Sequence, residues 1–371
     1  MQAMQQQENL PSVRNIINHD VMNCTADGVV GNHLYSGRAL GISEPWDTIQ
    51  LHPNLEPLWD DIQAHYKRVG LSHTQDVIWD LNLKHLGAHI GFQPSVFYFG
   101  PNECTYWGDQ KWLEVVEYIN SKNNFIALAE ELGVDVPQTL CFDSVKDIDP
   151  ALISDIVFPC YLKAAISVSG VGIYRCENEA AFISAMESFA EDIPVQVQEE
   201  VKTQIFLNLQ YQVIGKELVR LCASEQILDG FAHQGNRVPT QFEPWDTVEP
   251  MAQWLLDNGM KGIFAFDVAI VQTNKGLRFP AIECNPRFNG ASYPTLIAQK
   301  LGIDEWSAIN LSVDAYTLAE LSLKEFEYDP KTGEGVIIVN WGTCLVGKIS
   351  VLIAGPPSYQ QSVAIDLELK F

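Results

Sequence analysis

The sequence predicts a mixed α/β (α+β) fold, and three observations carry that expectation. Short apolar, strand-like runs alternate with stretches of helical periodicity along most of the 371 residues. Hydrophobic residues make up 47% and charged residues 19%, which supplies a sizeable core and excludes a disordered chain or a coiled coil. The length suits two or three structural lobes rather than one small core.

Charge narrows the function classes. The 23 Lys and Arg residues against 47 Asp and Glu give a net charge of −24. Such a surface repels phosphate backbones and anionic lipid, so no nucleic-acid and no membrane partner is expected. No apolar run reaches the roughly 18 residues that cross a bilayer. Met1–Leu10 is Gln-rich and polar and reads as a frayed tail rather than a secretory signal. The eight cysteines, none in a C-x-x-C pair, fit reduced thiols in a cytoplasmic protein better than a disulfide framework or a zinc site.

Along the chain, residues 11–57 are rich in Gly, Pro, Asn and His and read as irregular. The pentapeptide Glu44-Pro45-Trp46-Asp47-Thr48 recurs at 243–247, too short a match for an internal repeat. A helical pattern runs from Leu58 to Val69. Asp76–Leu81 and Ser95–Phe99 read as strands around a helical Leu83–Ile90. Residues 111–132 are helical with a break near Ser121, and Gly133 then Pro137 end the run. Val157–Ala165 is strand-like and enters the small-residue loop 167–172; Ile173–Cys176 completes a hairpin. Ala180–Phe189 is helical, and Val195–Val201, Phe206–Ile214 and Leu218–Ala223 are strands. Residues 229–247 lack periodicity and read as a long loop. Val248–Asn258 is helical. Residues 295–321 read as two helical pieces, Val336–Trp341 and Ile349–Ile353 as closing strands, and 362–371 as a final strand.

The most informative stretch is Gly262–Gly290. Ile263 to Val271 is nearly continuous apolar sequence, as in a strand buried on both faces, with Asp267 in its middle. The next strand carries Glu283. If the turn centres on Lys275, Asp267 faces Glu283, and like charges directly across a ladder repel. A buried carboxylate is costly unless paired or metal-bound, and a divalent cation resolves both problems. Strand alternation puts Glu283 and Asn285 on one face, with Arg287 continuing it. Three hard oxygen ligands suit Mg²⁺, and Arg287 supplies a fixed positive fork for a phosphoryl group. The competing readings put the two acids at the sheet's solvent edge or pair one of them with a lysine, and make Arg287 a surface salt bridge.

Other signals are weaker alone. Lys163 in an apolar strand must reach an anion. The loop after it, with Ser169, Gly170 and Gly172, can close backbone N–H groups over phosphates, as many Gly-rich hairpins could. Lys122 precedes a helix. Gln198-Glu199-Glu200-Val201 ends a strand at a crossover where backbone groups can meet an adenine edge, or is an ordinary acidic strand end. Residues 342–348 match a Walker A loop except that Ile349 replaces Ser or Thr and no helix follows, so the match fails. His85 and His89 at i, i+4 lack a third ligand and read as structural. His233 and Arg237 in the long loop could touch substrate or nothing.

Lys122, then Lys163 with its glycine loop, then Glu199-Glu200-Val201, then Asp267, then Glu283-Cys284-Asn285-Pro286-Arg287 is a specific order. It resembles the ATP-grasp superfamily, and within it the carboxylate–amine ligases. Ser121–Thr139 looks like the family's entry into the nucleotide-binding part, FPCYLKAAISVSGVGI like its phosphate-loop hairpin, and GIFAFDVAIV with AIECNPRFNG like its metal-binding hairpin.

The resemblance implies an ATP-grasp fold with an N-terminal α/β pre-ATP-grasp domain. It implies a flexible tail at 1–18, that domain at 19–110, a small nucleotide-binding subdomain at 111–200 and a large subdomain with the Mg²⁺ site at 201–371. It also implies that Lys122, Lys163, Ser169, Gly170 and Gly172 bind ATP phosphates and that Glu199, Glu200 and Val201 flank the adenine. Asp267, Glu283 and Asn285 would hold Mg²⁺, or Mn²⁺ in its place, and Arg287 would be catalytic at an acyl-phosphate transition state. Thr203, Gln204 and Ile205 stand where the family often has a ribose-binding acid. Ala265 stands where a basic residue is usual, with Arg220 or Lys261 to substitute.

The implied activity joins a small-molecule carboxylate to an amine with release of ADP. A homodimer is compatible with it. The alternatives are a biotin-carboxylase-like or other phosphoryl-transfer ATP-grasp enzyme and a catalytically silent ATP-binding scaffold subunit.

Overall fold

The computed structural model describes residues 13–25, 29–167, 172–230, 232–314, 317–321, 323 and 325–371. Three larger sheets organise it, with a two-stranded ribbon, Val271–Thr273 and Gly276–Arg278, beside them. The first is four-stranded and parallel, in the order Asp76–Ile78, Thr48–Gln50, Asn15–Asn18, Gln93–Val96. Asn15–Asn18, assigned by sequence to a flexible tail, is thus an inner strand. Ile16 and Ile17 are buried, and Asp47 holds the start of the strand by accepting hydrogen bonds from the Asn15 backbone N–H and side-chain amide. The helix Trp59–Val69 covers this sheet with Ile62, Tyr66 and Val69, the i, i+4, i+7 stripe that its sequence announces.

The second sheet is four-stranded and antiparallel: Thr139–Phe142, Val195–Glu199, Cys160–Ala164, Ile173–Cys176. Its own small core is built on Leu162, Phe182, Val195 and Val197. Ahead of it, Ser121 separates the helices Gln110–Asn120 and Lys122–Leu132. Its Oγ accepts from the Asn124 N–H, and Gly133 at φ +69° ends the second helix. Lys122 is therefore fixed at a helix start, and its N–H donates to the Ala165 carbonyl at 2.7 Å.

The third sheet has eight strands in the order 281–285, 262–269, 206–214, 217–229, 232–238, 306–312, 348–354, 335–340. Three sequence expectations are corrected here. The long loop begins with a strand, Ala232–Val238, paired antiparallel with Glu217–Asp229, because the edge of that strand needs backbone partners. Among the described residues of 295–321 only the first part is helical, within Ser292–Leu301; Trp306–Ser312 is a strand between two others. Residues 362–371 belong to the helix Pro357–Lys370, which buries Val363 and Leu367. The recurring pentapeptide takes two structures, a turn before a strand and the start of the helix Trp245–Asp257, as expected of a chance match.

The last strands pack on the first sheet. Trp341 donates its indole N–H to the Gly37 carbonyl at 2.7 Å, Tyr66 donates to the Ile338 carbonyl at 3.2 Å, and one apolar core joins residues from Ile17 to Leu367. No helix among the described residues is long and apolar enough to cross a membrane.

Candidate active site

The central hairpin has the register expected from the sequence: Asp267 pairs with Glu283 and Ala265 with Asn285. Residues 263–266 and 268–270 are buried, and Asp267 is the exception because it faces a cavity. Its Oδ1 accepts from the side-chain amides of Asn208 and Gln226, both at 2.7 Å, and its Oδ2 from that of Asn285 at 3.1 Å. Burial first, and then the charge of Glu283, push the Asp267 carboxyl up to about 7. Burial works on Glu283 in the same sense, but Lys122, with Lys163 and Arg287 behind it, overrides that and holds Glu283 well below the usual carboxylate range. The Lys122 Nζ lies 3.0 Å from Glu283 Oε2. The acid–lysine pairing set against a cation at the sequence level is therefore present for one of the two acids.

The donors still suit a hard divalent cation. Two carboxylates meet beside an amide oxygen, and Asp267 keeps an electrostatic preference for a positive species that no lysine meets. Asn285 turns its nitrogen toward Asp267, so ligation through its oxygen requires the amide to rotate.

Arg287 lines the same cavity of about 500 Å³, with Lys122, Asn208, Gln226, His233 and Asn289. No carboxylate among the described residues lies within ion-pair distance of Arg287. A second cavity of about 850 Å³ shares Ile173, Gln226, Leu228 and Asp267 with the first. It is lined by Lys163 and by Glu199, Glu200 and Val201 of the crossover. Lys163 is buried and donates to Gln198 Oε1 at 2.6 Å; burial lowers its ammonium to about 8 against the opposing pull of Glu283. Glu199 pins the crossover, accepting from the Gln138 N–H and donating its own N–H to the Gln138 carbonyl, both at 2.9 Å. Glu200 is taken by Arg175, so its charge is spent outside the cavity. Lys202, Thr203 and Gln204 line the rim where a ribose-binding acid was sought.

Gly172 is not a cavity wall. At φ +76° it returns the hairpin, and its carbonyl accepts from the Ala164 N–H at 2.9 Å. Ser169 and Gly170 lie outside the described residues. Arg220 is a correction: it sits on the helix Trp245–Asp257, bound to Asp246 and Glu249 at 3.0 Å and stacked over Trp245, and lines neither cavity. Lys261 is paired with Asp109 at 2.5 Å. His85 binds Asp80 and His89 the His85 carbonyl, a local structural arrangement.

Sequence reasoning missed most of the amide row around Asp267: Asn208, Gln226 and Asn236, which Asn289 joins at 3.4 Å from Asn208. The signal was there in part. In Phe206–Ile214 the polar Asn208, Gln210 and Gln212 alternate with apolar residues, which marks one polar face on an otherwise central strand. Asn236 donates to Ser224 Oγ at 3.0 Å and its Oδ1 meets the His233 ring at 2.6 Å, so the row continues onto the strand assigned to a loop. Arg237 pairs with Glu225 instead.

No protein-family model matches the sequence. Among solved structures, the chain is similar to N5-carboxyaminoimidazole synthetase from Staphylococcus aureus in complex with ADP, with a TM-score of 0.63 and 11% identity over 97% of both chains. It is similar to N5-carboxyaminoimidazole ribonucleotide synthetase from Thermus thermophilus, with a TM-score of 0.57 and 13% identity over 96% of this chain and 98% of that one. It also resembles the biotin carboxylase domain of Hydrogenobacter thermophilus 2-oxoglutarate carboxylase, solved with MgADP and bicarbonate, with a TM-score of 0.51 and 14% identity over 93% and 86%. At these identities the likeness is one of fold, and that fold is ATP-grasp.

Proposed function

We propose that this chain is an ATP- and Mg²⁺-dependent ligase that phosphorylates a small carboxylate, releasing ADP, and passes the acyl group to an amine that displaces the phosphate. One observation carries the reading: a nucleotide-sized cavity with a buried lysine and a backbone-pinned crossover opens onto a second cavity holding Arg287, and Asp267 stands in the wall between them. In this reading the sheet 139–199 and the eight-stranded sheet are the two jaws around the nucleotide. Val201 and the 199–201 backbone would meet the adenine, and Lys163 and Lys122 the phosphates.

Asp267, Glu283 and Asn285 would hold the Mg²⁺, whose chemistry is to neutralise phosphate oxygens during transfer. Lys122 would exchange its partner Glu283 for a phosphate oxygen as the cation takes its place. The Arg287 guanidinium has no described carboxylate to release and is positioned to stabilise charge on the transferring phosphoryl group. The amides of Asn208 and Gln226, both on Asp267 Oδ1, would keep its carboxylate oriented. Catalysis is then alignment and charge neutralisation, with no protein nucleophile.

A second reading takes bicarbonate as the acid that is phosphorylated. The full-length likeness to carboxyaminoimidazole and biotin carboxylase enzymes favours it. The test is ADP release from ATP and Mg²⁺ in the presence of paired carboxylates and amines, with and without bicarbonate. Release that requires an organic acid supports the first reading and release that requires bicarbonate the second. ADP binding with no release across the panel would leave a silent nucleotide-binding protein.

A further inference from the structure

Arg38 lies in the tight helical segment Asn32–Ile42, packed among the rings of Tyr35, Phe97 and Tyr293 at 4.9, 4.6 and 4.4 Å from their centroids. It is 7% exposed. The rings hold the guanidinium in place but supply no counter-charge. No carboxylate among the described residues reaches ion-pair distance of it, and its Nε and Nη2 have no hydrogen-bond partner. These two nitrogens form one edge of the guanidinium, whose parallel N–H bonds fit the two oxygens of an oxyanion. The same edge is used elsewhere in this chain: Arg68 binds Glu327 and Arg278 binds Asp135 through Nε and Nη2, each contact 2.8 Å.

Arg38 lines a third cavity, about 290 Å³, together with Tyr293 and Asn340. The buried Asn340 Oδ1 also lacks a partner, so the cavity offers one unsatisfied acceptor beside an unsatisfied cationic edge. His233 and Gly290 line both this cavity and the one that holds Arg287, so the two are neighbours. His19, which hydrogen-bonds Tyr293 at 2.8 Å, is kept neutral by burial and by Arg38 itself, so it supplies no charge of either sign.

We propose that Arg38 anchors an oxyanion, a carboxylate or a phosphate, at the far end of a substrate whose reacting group lies in the Arg287 cavity. This deepens the ligase reading and rests on it: the substrate carries a negative group in addition to the one that reacts. The three cavities then form a line from nucleotide to reacting centre to anion anchor.

The experiment uses the full chain saturated with Mg²⁺ and ADP. Binding of propionate is read by saturation-transfer NMR and binding of inorganic phosphate by ³¹P line broadening. The same titrations are made on Arg38→Lys, which keeps the charge but loses the two-pronged edge, and on Arg38→Ala. The expected result is at least a fivefold loss of the anion signal in both variants, with ADP affinity within twofold of the parent. A signal from propionate alone identifies a carboxylate end and from phosphate alone a phosphate end. A parent that binds ADP but neither anion, or variants that bind the anion as well as the parent, overturns the proposal and leaves the ligase reading intact. A parent that fails to bind ADP overturns the reading beneath it. If both variants lose ADP, Arg38 is a structural residue and the proposal fails.

Discussion

Asp267 and Glu283 stand opposite each other on adjacent antiparallel strands, yet among the described residues only Glu283 has an ion-pair partner, Lys122 at 3.0 Å. The pair is thus half neutralised from within the protein. Its remaining appetite for positive charge is concentrated on Asp267, which has amide donors on both oxygens but no lysine.

Removing either charge should separate metal binding from nucleotide binding. In Glu283→Gln and Asp267→Asn, turnover of ATP to ADP should fall about 100-fold or more, on the scale of losing a charge-stabilising group. Raising Mg²⁺ should recover part of it in the Glu283 variant only, where Asp267 remains. Unchanged turnover at limiting Mg²⁺ in Glu283→Gln would show that the acid is not a metal ligand.

Lys163 gives the free protein a pH signature. Its ammonium is lowered to about 8 by burial, so it is charged below that pH and neutral above it. ADP affinity should therefore fall as pH rises above about 8, by up to about tenfold per unit while Lys163 alone loses its proton. In Lys163→Arg, whose guanidinium stays charged, the fall should disappear. Calorimetric titration of ADP from pH 7 to 9.5 reads it, and a pH-independent affinity in the parent would count against Lys163 as a phosphate ligand.

Glu327 joins His65, at 2.8 Å, and Arg68 at the seam between the first sheet and the last strands. Burial opposes its ionisation, but His65 and Arg68 outweigh that and lower it to about 2. A depressed acid contributes stability above its unfolded value near 4.5 and loses it as pH falls toward 2. After allowance for screening of the exposed Arg68, Glu327→Gln should cost about 1–2 kcal/mol at pH 7 and much less at pH 3. Urea unfolding at both pH values tests this, and an equal loss at each would mean that packing, not charge, is what Glu327 contributes.

Gly172 leads into the strand Ile173–Cys176 at φ +76°, and a Cβ there would come within 3.3 Å of the Ala164 Cβ. Gly172→Ala should cost about 1–2 kcal/mol from the left-handed backbone alone. It should also weaken ADP binding by displacing the strand that carries Lys163. A variant with parental melting temperature would show that the turn has a second accessible conformation.

The site was legible where chemistry and strand geometry coincide. Asp267, Glu283 and their register could be read because an acid inside an apolar run has few explanations and a short hairpin has few registers. Arg220 misled because a basic residue on a strand next to the site could face either side, and only the helix Trp245–Asp257, with Asp246 and Glu249, decides which. The amides at 208, 226 and 236 carry no charge to be satisfied, so nothing in their type demanded a partner. Arg38 was hidden differently. Its neighbours Phe97 and Tyr293 are distant in sequence, and its lack of a counter-ion is a property of the folded chain alone. Trp306–Ser312 and Pro357–Lys370 were misread because a short apolar run is claimed by whichever edge or face stands free.

The core shared by Ile17, Tyr66 and Ile338 has a consequence for how the molecule is made. On the ribosome, the first sheet emerges long before the strands that seal its apolar side, so it must wait, half covered, until residues 335–354 have been made. Nascent chains stalled before residue 335 should therefore be cut by protease within the first hundred residues, while released chains resist. Equal resistance at both stages would mean that the first sheet shelters its apolar side without help from those strands.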